Sequence, residues 1–214
     1  MKRKVLLIGA GGHCKVIVDL LLKSKEYQIA GIIDLNERVG ENVLGVPVIG
    51  TDSDMSKLFK KGIRHCFIAI GSVGDSNLRA KLHGLARKAG FAFPSLIHPL
   101  ALVSPYVALG EGNYIAPGVI INAGTQIGNC CILNTGAIIE HDCKLGNFVH
   151  LSSGAVLSGG VTIGDHAHIG AGSVVIQGLK VGIRAMVGAG SVVTKNVRSG
   201  IVAYGNPCKE RRSA

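Results

Sequence analysis

The chain has 214 residues, a length that fits one large domain or two small ones. Hydrophobic residues make up 47% of it and charged residues 17%, which excludes intrinsic disorder, and no apolar run approaches the roughly 20 residues of a membrane span. The formal net charge is +10, but the basic residues are scattered and aromatic residues are only 4% of the chain, so we expect a phosphorylated small molecule as partner and not nucleic acid.

The cysteines and the N-terminus indicate the compartment. No two cysteines form a C-x-x-C pair, which argues against a zinc ribbon or a thioredoxin motif, and we expect buried thiols and no metal. The basic residues 1–4 and the apolar residues 5–8 resemble a signal peptide only briefly, because the stretch breaks at Gly9 without a processing site. We predict a cytoplasmic protein. The six cysteines are Cys14, Cys66, Cys130, Cys131, Cys143 and Cys208.

Residues 1–93 alternate short apolar runs with helical patterns. This β-α-β-α-β order predicts an α/β unit with a small parallel sheet of half-Rossmann type. The predicted strands are Val5–Ile8, Ile29–Asp34 and Cys66–Ile70, and the predicted helices cover about Cys14–Lys23, Ser53–Lys61 and Asn77–Ala89.

The first predicted strand ends in a glycine-rich turn, Gly-Ala-Gly-Gly-His at residues 9–13. Such a turn would present backbone N–H groups and a helix N-terminus to an anion. Asp34 ends the second strand, where a carboxylate can accept a hydrogen bond from a ribose or a base. The spacing departs from G-x-G-x-x-G, so an NAD site is weakly supported, and a tight turn without any ligand is the alternative.

A six-residue repeat fills the rest of the chain. Every sixth residue from Ile97 to Val193 is Ile, Leu or Val, 17 positions without an insertion. A helix would need a period of 3.6, whereas one short strand and one corner per hexad describe a parallel β-helix. Three hexads close one coil of 18 residues, so residues 97–193 are predicted to form about five coils, stacked at about 4.8 Å.

The turn Gly-Ala-Gly-Gly-His-Cys-Lys ahead of a hexapeptide β-helix resembles the hexapeptide-repeat nucleotide-aminosugar N-acetyltransferases and sialic-acid O-acetyltransferase-like proteins. The closing segment Gly205–Lys209 is also similar to that family's. The resemblance implies a left-handed β-helix, although parallel crossovers are generally right-handed. It also implies a nucleotide-sugar-binding domain at 1–93, an acetyltransferase domain at 94–214, and a homotrimer with active sites at subunit interfaces.

The activity implied by the resemblance is acetyl-CoA-dependent transfer of an acetyl group to the amino group of a nucleotide-linked amino sugar, a step of glycan biosynthesis. Acetyl-CoA would be a co-substrate, and no metal would take part. In the N-terminal domain, the resemblance carries nucleotide contacts to Gly11, Gly12, His13 and Asp34, and it places Gly71 at the same strand-end crevice.

The catalytic residues implied by the resemblance lie in Glu-His-Asp-Cys at residues 140–143. His141 would be the general base, and Asp142 would raise its basicity. An amine arrives largely as ammonium and must lose a proton to attack a thioester, and imidazole titrates near neutral pH. Gly159 follows His141 by one coil, about 5 Å away in the same column. The resemblance implies that the Gly159 N–H stabilises the tetrahedral oxyanion.

Rows of tiny residues at 152–154, 170–172 and 188–190 stack in register beside His150. They would form a smooth slot for the pantetheine arm, with Ala171 and Ala189 in the slot, although small residues are also what sharp coils need. The resemblance implies that His150 meets the acetyl donor. Because His141 and His150 lie half a coil apart, on different sides of one prism, we expect two chains to share each site.

Several alternatives stay open or are disfavoured. An O-acetyltransferase for sialic acid or a related sugar is the nearest rival, and a non-enzymatic nucleotide-sensing or scaffolding trimer is the alternative outside the enzymes. A γ-class carbonic anhydrase needs three metal-binding histidines, and no matching spacing occurs among His141, His150, His166 and His168. Serine acetyltransferases carry a helical N-terminal domain, which the pattern of residues 1–93 is not.

Direct transfer is expected, because no nucleophile is obviously placed for an acyl-enzyme.

Overall fold

A computed structural model describes residues 2–213. The chain forms two compact units. The first unit consists of the chain up to Gly71 together with Asn77–Pro94, and the second consists of Ser72–Ser76 together with the chain from Ser95 onward. No helix within residues 2–213 has the length and apolarity needed to cross a bilayer.

The first unit is a five-stranded sheet with helices. The strands are β1 (Arg3–Ile8), β2 (Tyr27–Ile33), β3 (Asn42–Val43), β4 (Val46–Gly50) and β5 (His65–Ile68). The helices are α1 (Gly12–Leu22), α2 (Met55–Lys60) and α3 (Asn77–Lys88), and two short 3-10 helices cover Asn36–Arg38 and Asp52–Asp54. The strand order is β3-β4-β2-β1-β5, and all neighbours are parallel except β3 and β4.

The hairpin of β3 and β4 was not predicted. Its two-residue turn has positive φ at both Leu44 (48°) and Gly45 (83°), the geometry of a tight hairpin turn. Asparagine or aspartate usually marks the first of these positions, and a leucine there hides the turn from sequence analysis. In the structure, β4 alternates buried and exposed residues, although its sequence Val-Pro-Val-Ile-Gly shows no alternation of apolar and polar residues.

The first unit folds around its apolar strands. Residues 5–8 of β1 are buried, and one buried cluster combines side chains of β1, β2 and β5 with side chains from α2, α3 and the segment after α3. Helix α1 buries Cys14, Ile17, Val18 and Leu21, which recur at the three- and four-residue spacing of one helix face.

The second unit is a β-helix of 18-residue coils. Each two-residue strand pairs in parallel with the strand 18 residues later, as in Ile120–Ile121 with Ile138–Ile139. The predicted fold class, an α/β unit of half-Rossmann type followed by a left-handed hexapeptide-repeat β-helix, is confirmed. The second residue of nearly every strand points inward and is buried, while Ile97, Val103 and Leu109 at the first coil are partly exposed.

Three sheets form the sides of this prism, and we name them by the outward-pointing first residues of their strands. The aliphatic face comprises Leu102–Val103, Ile120–Ile121, Ile138–Ile139, Val156–Leu157, Val174–Val175 and Val192–Val193. The polar face comprises Ala108–Leu109, Gln126–Ile127, Lys144–Leu145, Thr162–Ile163 and Lys180–Val181. The histidine face comprises Leu96–Ile97, Tyr114–Ile115, Ile132–Leu133, His150–Leu151, His168–Ile169 and Met186–Val187, extended by Ile201–Tyr204 and Lys209–Ser213.

Candidate active site

His141 and Asp142 occupy the corner that joins the aliphatic face to the polar face. The His141 Nδ1 and Asp142 Oδ2 atoms are 2.8 Å apart, and the two side chains are 66% and 71% exposed. An ionised carboxylate only accepts hydrogen bonds, so Nδ1 carries the proton of the neutral ring and Nε2 carries the lone pair. The pair therefore presents a solvent-accessible acceptor of protons at Nε2.

Gly159 lies directly beside that acceptor, one coil further along. A Cβ built on Gly159 would be 2.7 Å from His141 Nε2, so the imidazole covers the glycine α-carbon. The Gly160 N–H donates to the His141 carbonyl, and Gly178 donates to the Gly159 carbonyl. Within residues 2–213, no backbone carbonyl accepts the Gly159 N–H. His141 Nε2, a proton acceptor, therefore lies beside Gly159, a residue whose main-chain N–H is a hydrogen-bond donor.

Asp142 stands at a position where neighbouring coils use glycine. Its φ is +59°, and Gly124, Gly160 and Gly178 occupy the same column with φ between +69° and +77°. Aspartate tolerates this left-handed conformation better than most residues, but glycine adopts it without strain. The Asp142 carboxylate lies over the α-carbon of Gly124, where a side chain would collide with Oδ1. Asp142 therefore stands at a position that favours glycine, and Gly124 in the preceding coil leaves room for its carboxylate.

Two further contacts hold this corner, and sequence analysis missed both. Asn122 Nδ2 donates to Glu140 Oε2 over 2.7 Å, and the Thr125 hydroxyl donates to the Glu140 carbonyl over 2.9 Å. Asn122 lies one coil, 18 residues, before Glu140, so the 18-residue spacing was the available signal for that contact, whereas Thr125 lies 15 residues before Glu140. These bonds anchor the residue that precedes His141.

His150 and His168 stack in one column of the histidine face. Their rings are 4.8 Å apart and nearly perpendicular, and both side chains are buried. His150 Nδ1 donates to the Ser72 carbonyl over 2.5 Å, and His168 Nε2 lies 3.3 Å from the Ser152 hydroxyl. Burial lowers the pKa of His168, which favours its neutral form.

The structure does not bring His141 and His150 together within one chain. His141 lies at the corner between the aliphatic and polar faces, whereas His150 lies on the histidine face, the third side of the prism. The half-coil separation expected from the sequence is therefore present in the fold.

The stacked small residues form the corner between the histidine and aliphatic faces. Ala171 and Ala189 are exposed at the tips of successive coils, and a Cβ on Gly172 or Gly190 would meet no atom within 4 Å. Gly170 differs, because a side chain there would collide with the backbone of Ala189. Coil spacing thus explains the glycine at 170, but it does not explain the small exposed side chains at 171 and 189.

In the first unit, a cavity of about 420 Å³ opens at the glycine turn. All five residues expected to contact the nucleotide line it, together with Arg38. These five are Gly11, Gly12, His13, Asp34 and Gly71. A Cβ on Gly11 or Gly12 would meet nothing within 4 Å, so the two glycines leave space that the first unit does not fill.

Asp34 accepts a hydrogen bond from the glycine turn and pairs with the Arg38 guanidinium. Its Oδ2 accepts from the Ala10 N–H over 2.5 Å and lies 3.2 Å from Arg38 Nη1, and its Oδ1 accepts from the Leu35 N–H. Arg38 also pairs with Glu41 and is partly exposed. Sequence analysis missed Arg38, whose position four residues after Asp34 was the signal. The cavity therefore combines backbone donors with one cation, a combination suited to an anion.

Comparison with known proteins places this geometry in a family. Residues 4–84 match the PglD N-terminal domain, residues 142–177 the bacterial transferase hexapeptide, and residues 160–195 the hexapeptide repeat of succinyl-transferase. GDP-perosamine N-acetyltransferase from Caulobacter crescentus is 42% identical, with a TM-score of 0.92 over 98% of this chain and 97% of that chain. The acetyltransferase domain of PglB from Neisseria gonorrhoeae FA1090 is 36% identical, with a TM-score of 0.89 over 98% and 100%.

The chain belongs to the hexapeptide-repeat nucleotide-sugar acetyltransferases. The predicted resemblance and the predicted enzyme class, an acyltransferase, are thereby confirmed. The Caulobacter structure contains CoA and GDP-perosamine, and a second PglB structure contains acetyl coenzyme A. WeeI from Acinetobacter baumannii AYE is a further match, 28% identical with a TM-score of 0.83 over 98% of this chain and 100% of that chain.

One curated relative is a much longer protein. Uncharacterized protein L142 from Acanthamoeba polyphaga mimivirus is 34% identical over 125 residues, which are 58% of this acetyltransferase but only 24% of the viral protein. Among residues 2–213, no group of three His, Cys, Asp or Glu side chains has a geometry that could hold a metal ion.

The histidine of the glycine turn gives this acetyltransferase a measurable pH dependence. Burial, together with the Arg79 guanidinium, lowers the pKa of His13 to about 4. The unfolded chain takes up this proton near pH 6.5, while the folded chain resists protonation, so the free energy of unfolding falls as the pH drops from 6.5 towards 4. From pH 7 to pH 5 the His13 contribution to this loss is about 2 kcal/mol.

Urea unfolding of the wild type and of His13→Gln at pH 7 and pH 5 measures this contribution. The wild type is expected to lose more stability than the variant. Burial also lowers the pKa of His83 and His168, so both proteins share a background decline, and the difference between them is the readout. Identical declines in the two proteins would show that His13 does not resist protonation.

Proposed function

We propose that this acetyltransferase transfers the acetyl group of acetyl-CoA to the amino group of a nucleotide-linked amino sugar. The observation that carries the proposal is the His141 imidazole, oriented by Asp142 and lying against Gly159 with Nε2 as its proton acceptor. The GDP-perosamine N-acetyltransferase that resembles this chain was crystallised with CoA and GDP-perosamine, both as PerB and as two histidine variants.

The proposed reaction is a direct displacement at the thioester. The sugar amine attacks the carbonyl carbon as His141 Nε2 takes a proton from its nitrogen, and the carbonyl becomes a tetrahedral oxyanion. The Gly159 N–H donates a hydrogen bond to that oxyanion. The intermediate then collapses, the carbon–sulfur bond breaks, and the imidazolium returns the proton to the departing CoA sulfur. Asp142 stabilises the imidazolium that forms in between.

The state of the nearest thiol supports direct transfer. Cys143 follows Asp142 and is buried, and its Sγ–H donates to the Ser158 carbonyl over 3.3 Å. Burial raises the pKa of the Cys143 thiol, which opposes the thiolate form that an acyl-enzyme would need. Acetyl transfer therefore requires no covalent enzyme intermediate at this cysteine.

The proposed roles divide between the two units. The backbone donors of the glycine turn and the Arg38 guanidinium favour the first unit as the site for the diphosphate of the nucleotide sugar. Gly11, Gly12, His13, Asp34 and Gly71 would contact this substrate.

In the second unit, the small-residue corner favours a site for the thin arm of acetyl-CoA. Ala171 and Ala189 would lie along that arm, and His150 would meet the acetyl donor. Gly159 would face the same donor through its N–H.

We further propose a homotrimer, and the aliphatic face supports it. Six outward-pointing aliphatic side chains stack on this one side of the prism over about 24 Å, with Leu102 67% exposed. A continuous apolar stripe of this kind is typical of an interface between copies. Packing copies through this face would also unite His141 of one chain with the histidine face of another. The stripe consists of Leu102, Ile120, Ile138, Val156, Val174 and Val192.

Two alternatives and the location stay open to experiment. An O-acetyltransferase for sialic acid or a related sugar would use the same base on a hydroxyl, and a nucleotide-sensing trimer would bind ligands without turnover. The free cysteines, five of them buried, favour the cytoplasm as the location, where thiols stay reduced.

A thermal-shift panel of nucleotide amino sugars, with and without CoA, followed by assay of thiol release from acetyl-CoA, tests the proposal. We expect stabilisation by one class of nucleotide sugar and turnover only when acetyl-CoA and that sugar are both present. Stabilisation without any turnover across the panel would favour the nucleotide-sensing trimer.

Replacing Asp34 with alanine is expected to raise the KM for the nucleotide sugar by roughly 10- to 100-fold, the range for losing charged hydrogen bonds. The Asp34 carboxylate accepts a hydrogen bond from the Ala10 N–H and pairs with Arg38 at the glycine turn. Steady-state kinetics with each substrate varied in turn measures the effect, and Asp19→Ala, an exposed carboxylate on α1, is the control. The KM for acetyl-CoA should not change, and a rise confined to that KM would place the donor in the first unit.

A further inference from the structure

A second cavity of the first unit lies next to the glycine turn. It shares Gly9, Asp34, Ile70 and Leu78 with the cavity at the turn, and it measures about 270 Å³. This volume is below the usual range for a complete small-molecule site, so it suits one ring system better than a whole nucleotide. A diphosphate at the turn would carry its nucleoside towards this neighbouring cavity.

The walls of this second cavity are apolar. Ile8, Ile33 and Leu82 line it as buried side chains, while Leu35 and Leu78 line it although they are 62% and 55% exposed. Large exposed leucines that face one cavity are typical of a surface that an apolar ligand covers. A flat ring between these leucines would remove both from water.

Two charged side chains interrupt the apolar walls. Asp52 comes from the 3-10 helix Asp52–Asp54, and Lys81 comes from α3, on the same helix face as Leu78 and Leu82. Within residues 2–213, neither charge makes a hydrogen bond or an ion pair, unlike Asp54, which caps its own helix through the Thr51 N–H. Asp52 and Lys81 are therefore both available to a ligand.

We propose that this cavity binds a 6-oxo-2-aminopurine, the guanine base, and that Asp52 and Lys81 select it. This inference rests on the proposed nucleotide-sugar function. Guanine presents two adjacent N–H donors, at N1 and at the 2-amino group, which one carboxylate accepts together. It carries the O6 acceptor beside them, which suits the Lys81 ammonium.

The other common bases fit this pair of charges less well. Uracil and thymine present a single N–H between two carbonyl oxygens, so a carboxylate would face a repulsive oxygen. Adenine has an amino group in place of O6 and an acceptor at N1, which leaves Lys81 unpaired and opposes Asp52. Asp52 and Lys81 are exposed side chains, and a base seated in the cavity would cover them, so a base that leaves either one without a partner should bind more weakly.

Calorimetric titration of the full-length protein with GDP, UDP, ADP and xanthosine diphosphate (XDP) tests the inference. The wild type is expected to bind GDP roughly 5- to 150-fold more tightly than UDP or ADP, the range for one bidentate contact. Asp52→Asn should weaken the binding of GDP by a similar factor. The same variant should strengthen the binding of XDP, because the asparagine amide accepts a hydrogen bond from N1–H and donates one to the 2-oxo group of xanthine.

Two further variants complete the experiment. Lys81→Met should weaken the binding of GDP and XDP alike, because both carry O6, and should not weaken the binding of ADP, which leaves Lys81 without a partner. Asp19→Asn removes an exposed carboxylate of α1 outside the cavity and should bind GDP as the wild type does.

Wild-type affinity that is equal for all four diphosphates, or that favours UDP or ADP, would overturn the assignment of the base and leave the proposed function standing. An Asp52→Asn protein that retains full GDP preference would also overturn it. Binding of none of the four by the folded wild type would overturn the assignment of guanine, whereas the proposed function itself is overturned only if no nucleotide amino sugar of the thermal-shift panel binds.

Discussion

Replacing His141 with alanine is expected to lower kcat about 10²- to 10⁴-fold, the usual contribution of a positioned general base, with little change in the affinity for acetyl-CoA. The imidazole is oriented through Nδ1 by Asp142, which leaves Nε2 to take the proton of the attacking amine. Because the side chain is 66% exposed, its removal should change the free energy of unfolding by less than about 0.5 kcal/mol. Steady-state kinetics at saturating acetyl-CoA measures the loss.

A control variant separates this effect from a general disturbance of the β-helix. Gln126 is an exposed residue of the polar face, paired in register with Lys144 one coil away. Gln126→Ala should keep wild-type kcat. A His141→Ala protein that retains more than half of the activity would remove His141 from the catalytic role.

The second large effect is expected from a bulky side chain in the small-residue corner. Ala171→Trp should abolish measurable binding of acetyl-CoA, because the indole would fill the space beside Gly172 and Gly190 where the pantetheine arm is proposed to lie. Ala171 is exposed, so the coil should still fold. A nucleoside diphosphate, proposed to bind the first unit, should bind nearly as before. Calorimetry with each ligand distinguishes these effects, and light scattering should report a trimer for both proteins.

Ile183 offers a matched control for the tryptophan. It is 52% exposed at a different corner, between the polar and histidine faces. Ile183→Trp should bind acetyl-CoA like the wild type. Undiminished binding of acetyl-CoA by a folded Ala171→Trp protein would place the donor elsewhere.

The fold could be predicted to the extent that it depends on local periodicity. The six-residue recurrence of Ile, Leu and Val determines which side chains face the interior of the β-helix, and one register error would turn them outward. The hairpin of β3 and β4 escaped prediction because its turn places Leu44 at a positive φ. Leucine is not typical of a positive φ, so the residue type at position 44 gives no sign of a conformation that the surrounding sheet enforces.

The candidate site could be predicted where the 18-residue coil converts sequence distance into spatial distance. That rule placed Gly159 beside His141, and the structure has the imidazole over the glycine α-carbon. It was not applied to Asn122, which lies 18 residues before Glu140 and holds its carboxylate. The contact of His150 with the Ser72 carbonyl could not be predicted, because residues 72–76 are far outside the repeat.

Release of free CoA measured with two matched acceptors tests the central claim most directly. One acceptor is a nucleotide-linked sugar with a free amino group, and the other is the same molecule with a hydroxyl in place of the amine. We expect acetyl-CoA turnover with the amine, its loss in His141→Ala, and no turnover with the hydroxyl compound. Equal turnover with the hydroxyl compound would contradict amine acetylation at the His141 site.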